Sequence, residues 1–254
     1  MNANREYDSK AFARWLLTSL PKSLDIKKEN EPQHVFSELD LVESRTPYGV
    51  NLRELTSKEL FPEFSLYFRK FLARNRINIA MYDSFVGVPL GATGIADRIS
   101  AEYRTDVIVA KLKAIEPQKG TKQDEKISYK DHFEQNVDGK HIIPIEDVPY
   151  TGHNLDNLVW SLRKCGALVD IVMALVERKD KCYETRTGGY AFLEESGLTM
   201  IGKKHKIRCC SMLGIETLFE AALELKMPQL DDAAKKRINQ YLEKNSLSEF
   251  RFDA

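Results

Sequence analysis

Two adjacent carboxylates, Glu146 and Asp147, follow the apolar run Ile142-Ile143-Pro144-Ile145 and precede Val148-Pro149-Tyr150-Thr151-Gly152-His153-Asn154. The run is short and rich in β-branched residues, the pattern of a buried strand. After Gly152, Leu155, Leu158, Val159 and Leu162 fall at helical spacing. A strand ending in two acids, then a short loop and a helix start, brings three kinds of chemistry together. Carboxylates at the carboxyl end of a parallel strand face the crevice where open α/β sheets bind ligands. They can hold vicinal hydroxyls or a hydrated Mg²⁺, a hard cation that prefers oxygen. Amides at a helix N-terminus, together with the helix dipole, attract phosphate. Gly152 lets backbone approach a ligand closely, and Asn154 is placed to cap the helix. A ligand with a ribose and a 5′-phosphate suits this arrangement. The plain alternative is an acidic strand end followed by a capped helix.

The elements that must position these residues are legible as a rhythm. Phe12, Trp15, Leu16 and Leu20, with Pro21 after them, predict an amphipathic helix over 8–20. Residues 33–52 read as extended, and a charged helical pattern occupies 56–74. Four short apolar runs follow, at 77–81, 107–110, 141–145 and 169–176; Asp83-Ser84 is a turn signal closing the first. Helical stretches separate them at 92–103 and from Asn154 or Leu155 to the stop at Gly166. Strands alternating with helices predict βαβ units and a parallel sheet covered on both faces. The tail is helical again, with an apolar stripe from Ile215 to Leu223 and a further helix over 231–244. Residues 112–139 are polar and too long for an ordinary connection, the signature of a lid or a disordered segment.

Composition narrows the function classes. The chain has 254 residues, with 38 basic and 38 acidic side chains. A balanced charge argues against a dedicated nucleic-acid binder. No apolar run approaches the ~18 residues that cross a bilayer, and the first residues lack a secretory apolar core, so a cytoplasmic protein is expected. The four cysteines, Cys165, Cys182, Cys209 and Cys210, form no CxxC pair and read as reduced structural thiols. His34, His132, His141 and His205 show no metal-ligand spacing. Neither a dinucleotide fingerprint nor a P-loop occurs, and no nucleophile elbow supports a hydrolase.

The segment 142–154 resembles the phosphoribosyl-diphosphate motif of type I phosphoribosyltransferases. Further segments resemble the orotate branch of that family, in the right order over residues 40–225. They are Ser44-Arg45-Thr46-Pro47-Tyr48-Gly49-Val50-Asn51, Ile79 to Thr93 with Gly87-Val88-Pro89-Leu90-Gly91 at its centre, Val176-Glu177-Arg178, and Ser211 to Leu223. The resemblance implies an α/β phosphoribosyltransferase fold: a central parallel sheet flanked by helices, with a small hood. The expected division is an N-terminal helix and hood over 1–60 and the phosphoribosyltransferase core with C-terminal helices over 61–254. The implied reaction transfers phosphoribose from 5-phosphoribosyl 1-diphosphate to orotate, a step of pyrimidine nucleotide synthesis, with Mg²⁺ as cofactor and a homodimer as the assembly. The implied diphosphate-sugar contacts are Arg45, Val86, Gly87, Lys111, Glu146, Asp147, Tyr150, Thr151, Gly152, His153 and Asn154. His153 would contribute its backbone N–H. Tyr48 and Arg178 would face the base. Lys119 and Lys122 in the long loop, with Asp147, would serve catalysis, and Glu146 and Asp147 would meet the metal through the substrate.

The sequence also departs from the family pattern. Val86 stands where a basic residue precedes the glycine. Tyr150 stands where the family has Thr, and Asn154 where it often has Ser or Thr. Gly49 and Val50 replace aromatic residues, and no His lies beside Gly120. Two alternatives stay open: a transferase for another base, and a non-catalytic regulator that binds the diphosphate sugar.

Overall fold

A computed structural model describes residues 6–27, 34–35, 45–115, 132–186 and 189–253. Five parallel strands form the central sheet: β5 (Ser84–Gly87), β6 (Asp106–Val107), β7 (Ile142–Glu146), β8 (Ile171–Glu177) and β11 (Arg208–Gly214), in the order β11-β8-β7-β5-β6. Three two-stranded antiparallel units accompany it. β1 (Leu24–Ile26) pairs with β4 (Tyr48–Val50), β2 (His34–Val35) with β3 (Arg45–Thr46), and β9 (Lys181–Arg186) with β10 (Gly189–Ser196). The helices are α1 (Ser9–Ser19), α2 (Phe61–Arg74), α3 (Thr93–Tyr103), α4 (His153–Lys164), α5 (Gly197–His205), α6 (Ile215–Glu224) and α7 (Asp232–Asn245).

The helix starts follow local chemistry. The Asp8 carboxylate accepts from the amides of Lys10 and Ala11, and α1 begins at once. Pro62 in the first turn of α2 needs no N–H partner there. Apolar residues of the central strands alternate between two clusters. Ile143, Ile145, Met173 and Leu175 join α1, α2, α3, α6 and α7 on one face. Ile142, Val172 and Ala174 join α4 and α5 on the other. Burial on both faces is what the near-continuous apolar runs require.

One strand falls elsewhere than the apolar pattern places it. Residues 79–81 form a 3₁₀ turn, because the Asn78 side chain accepts from the Ala80 amide. The strand is Ser84–Gly87, led by the residues that read as a turn. Asp83 Oδ2 accepts from the His141 amide at 2.8 Å, and the buried Ser84 hydroxyl donates to the Asp106 carbonyl at 2.7 Å, so both polar side chains are satisfied beside the sheet. The run at 107–110 supplies only Val107 to the sheet, since β6 is Asp106–Val107. Beyond it, Ala110 bridges Phe133 and the Lys111 amide donates to the His132 carbonyl, so the chain turns to pair with its own return. Among the described residues, no helix is long and apolar enough to cross a membrane.

Candidate active site

The carboxyl ends of β5, β7 and β8 lie side by side, in register from Gly87↔Ile145 to Glu146↔Ala174. The loops leaving these ends build the candidate site. Glu146 closes β7 and is buried, and its Oε2 has no hydrogen-bond partner among the described residues. Burial, reinforced by the charge of Asp147, pushes the Glu146 carboxyl up to about 8. Asp147 is also pushed up by burial, against the pull of the Val148 amide, its own amide and Arg53. Its carbonyl accepts from the Val176 amide at 2.9 Å, which ties the loop to β8. Two neighbouring carboxylates, one with an oxygen awaiting a donor, suit hydroxyl or cation ligands.

The loop after β5 runs against this pair. A Cβ on Gly91 would stand 2.5 Å from Asp147 Oδ1, so a side chain there would push the carboxylate out of its place. Gly87 is equally constrained, since a Cβ would meet the Ala92 carbonyl at 2.3 Å. Between them Leu90 has φ 72° and is 73% exposed. A bulky residue in the left-handed region is strained, and such strain gathers at binding loops.

Tyr150 through Asn154 form the loop and first turn expected at the phosphate end. Helix α4 starts at His153 with Gly152 as its N-cap, φ 76°. Asn154 is therefore inside the helix, exposed, and does not cap it. The reason is geometric: the left-handed turn that ends the loop needs glycine, and Gly152 is the residue that can take it. The space a side chain would fill at Gly152 is used by the chain itself. A Cβ there would lie 2.8 Å from the Gly197 Cα, and one on Gly197 would lie 2.6 Å from Thr151 backbone. The N-termini of α4 and α5 thus abut through two glycines. A cavity of ≈ 340 Å³ opens between α5 and the sheet, lined in part by Glu177, Thr199, Lys203, Cys209 and Ser211.

Other expected residues are placed differently. Val86 is fully buried in β5, in the cluster under α4, so its side chain does not reach the loop surface. Tyr48 is fully buried as well, with its ring 4.4 Å from the Arg178 guanidinium. Arg178, expected to face a base, is 0% exposed, and its Nε lies 2.7 Å from Asp180 Oδ2. The apolar strand preceding it carries the arginine into the interior, where a carboxylate two residues on compensates the charge. Lys111 is exposed at the start of a 3₁₀ turn. Arg45 lies in β3, paired with Val35. Lys119 and Lys122 lie outside the described residues. Asp180, Gly197 and Tyr241 were not legible as site-adjacent: nothing in their local spacing shows that a helix start and a C-terminal helix return to the sheet's carboxyl edge.

No protein-family profile matches the chain. It is 23% identical to the orotate phosphoribosyltransferase of Sulfolobus acidocaldarius over 204 residues, covering 79% of this chain and 85% of that protein. Two solved structures share the fold. Orotate phosphoribosyltransferase of Francisella tularensis aligns over 93% of this chain and 99% of its own, with TM-score 0.57 and 18% identity. Leishmania donovani UMP synthase aligns over 93% of this chain with TM-score 0.60 and 17% identity; the chain spans 42% of that protein's length. The chain has the phosphoribosyltransferase fold, and its sequence resembles the orotate enzymes.

Proposed function

We propose that the chain is a phosphoribosyltransferase that transfers phosphoribose from 5-phosphoribosyl 1-diphosphate to orotate. One observation carries this reading: the buried acid pair Glu146–Asp147 at the carboxyl edge of the middle strand, followed by a glycine-capped helix start, in a fold shared with such enzymes. The acids would hold the ribose hydroxyls, and amides of 151–154 would hold the 5′-phosphate. A ring nitrogen of the base forms a bond to the anomeric carbon as the bond to diphosphate breaks and diphosphate leaves. Carboxylates near the sugar stabilise the positive charge that builds on the ring.

Among the described residues no group of three or more His, Cys, Asp or Glu could hold a metal ion. The donor set nevertheless fits Mg²⁺ arriving with the diphosphate. Such an ion keeps several waters and needs only one or two carboxylates besides phosphate oxygens. The unpartnered oxygen of Glu146 and the carboxylate of Asp147 would hold it. When bound it neutralises charge on the leaving diphosphate. A homodimer and a cytoplasmic role in pyrimidine synthesis complete the reading; light scattering checks the first.

A second reading has its own support. Arg178 already has a carboxylate partner, Asp180, and both are sealed from solvent. A base without a carboxylate would need nothing from that arginine. Calorimetry with 5-phosphoribosyl 1-diphosphate and Mg²⁺, then diphosphate release with orotate, uracil and purines, separates the readings. Binding and release with orotate support the first. Release with another base alone supports the second. Binding without release on any base makes the chain a sensor of the diphosphate sugar.

A further inference from the structure

The loop between β7 and α4 is held by a polar cluster that reaches it from the C-terminal helix. The Arg178 guanidinium lies 4.4 Å from the Tyr48 ring, 4.9 Å from that of Tyr150 and 5.9 Å from that of Tyr241. A sealed Arg–Asp pair is tolerated when the remaining donors and acceptors are met as well. Tyr241, on α7, meets several. Its hydroxyl lies 3.1 Å from Asp180 Oδ1 and 3.3 Å from the Tyr150 hydroxyl, and accepts from Arg178 Nη2 at 3.4 Å. A hydroxyl has one proton and two acceptor positions. The Asp180 carboxylate and the Tyr150 hydroxyl oxygen both lie within reach of that proton, so the Tyr241 hydroxyl links the buried pair to the loop.

Helix α7 is itself clamped to the sheet's carboxyl edge. Asp180 bridges Ser246 in antiparallel fashion, and the Leu247 amide and Ser246 hydroxyl both donate to the Lys179 carbonyl, at 2.9 and 3.2 Å. The loop is therefore braced twice: by Gly197 against Gly152, and by α7 against Tyr150.

We propose that α7 is a working part of the ligand site, with Tyr241 a positioning residue that fixes the 147–152 loop through Tyr150. The inference rests on the reading of that loop as the phosphoribose-binding loop. A loop ordered before binding spares the ligand the cost of ordering it.

Tyr241→Phe keeps the ring and removes the hydroxyl, and two measurements test it. In free protein, hydrogen exchange of 147–152 should quicken by about fivefold to tenfold, the range one hydrogen bond accounts for, while β8 stays protected. Calorimetry with 5-phosphoribosyl 1-diphosphate and Mg²⁺ should show affinity falling by a similar ~5–10-fold. That fall should vanish in a Tyr150→Phe background, which already lacks the hydroxyl through which α7 acts. A lower Tm with unchanged affinity and unchanged loop exchange would make Tyr241 a stabilising residue only and overturn the proposal. An affinity loss that persists undiminished without the Tyr150 hydroxyl would also overturn it. Should the wild-type protein bind no diphosphate sugar, the functional reading fails instead, and the exchange measurement alone still decides whether α7 holds the loop.

Discussion

Asp147 is the residue whose chemistry is most directly exposed to test. Its carboxylate sits against Gly91 with backbone amides below it. Asp147→Asn keeps the shape and removes the charge, so affinity for 5-phosphoribosyl 1-diphosphate with Mg²⁺ should fall on the order of 10–100-fold, the worth of one charge-assisted hydrogen bond. Gly91→Ala should lower affinity similarly without touching a charge, because the new methyl displaces the carboxylate. Equal affinity in both variants and wild type, by calorimetry, would remove Asp147 from the site. Leu90 makes a separate case. At φ 72° and largely exposed, it buries little to offset its strain. Leu90→Gly should raise the unfolding free energy by up to ~1 kcal/mol in urea melts, the strain relief less the extra chain entropy of glycine. The acid pair and the Thr-Gly turn were legible because each is a local signal of residue type. The burial of Arg178 was not, since the partners that seal it come from 46, 48, 150, 180 and 241.

At the scale of elements, the junction of α4 and α5 sets the loop from behind. Asp156, in the first turn of α4, lies 2.6 Å from both His205 Nε2 and Lys204 Nζ at the end of α5. Burial pushes its carboxyl up, but the bonds to His205 and Lys204 outweigh this and hold it below the ordinary range. A depressed folded value favours the folded state only while the group is ionised. The contribution is complete above the unfolded value near ~3.9 and is lost as pH falls through the lower folded one. Asp156→Asn should therefore cost ~1–3 kcal/mol at pH 7, and the gap to wild type should close below about pH 4. Urea midpoints measured from pH 7 to 3 with a constant gap would deny the pairing its role. The helices α1, α3, α4, α6 and α7 were legible within a few residues because their apolar stripes repeat at helical spacing and their ends carry Asp, Gly or Pro. The first strand was not. Its polar leaders, Asp83 and Ser84, are satisfied by His141 and Asp106, two segments far away in sequence. Nor was the β9–β10 hairpin, which among the described residues joins no other sheet.

For the molecule as a whole, the N-terminal helix α1 packs on β11 and α6 on one face of the sheet. The Tyr7 hydroxyl donates to the Met212 carbonyl at 2.6 Å, and Lys10 and Arg14 pair with Glu220 and Glu224 on α6. Exposed pairs of this kind contribute little, so apolar contact must carry the junction. Phe12 is 1% exposed, stacks on Trp15 at 5.8 Å and packs near Phe64, in the same cluster as Leu218, Phe219 and Met173. A parallel sheet folded by such distant contacts leaves α1 no core of its own. Phe12→Ala should then cost ~3–5 kcal/mol, felt by the entire chain. The discriminating measurement is a pair of probes: far-ultraviolet circular dichroism, and fluorescence of Trp15 in a Trp160→Phe background. Coincident urea transitions mean that residues 1–60 unfold with 61–254 as one cooperative unit. A Trp15 transition that precedes the dichroism, or a Phe12→Ala loss confined to it, would instead make the N-terminal region a unit that comes away on its own. The candidate site at the carboxyl ends of β5, β7 and β8 would then owe α1 nothing.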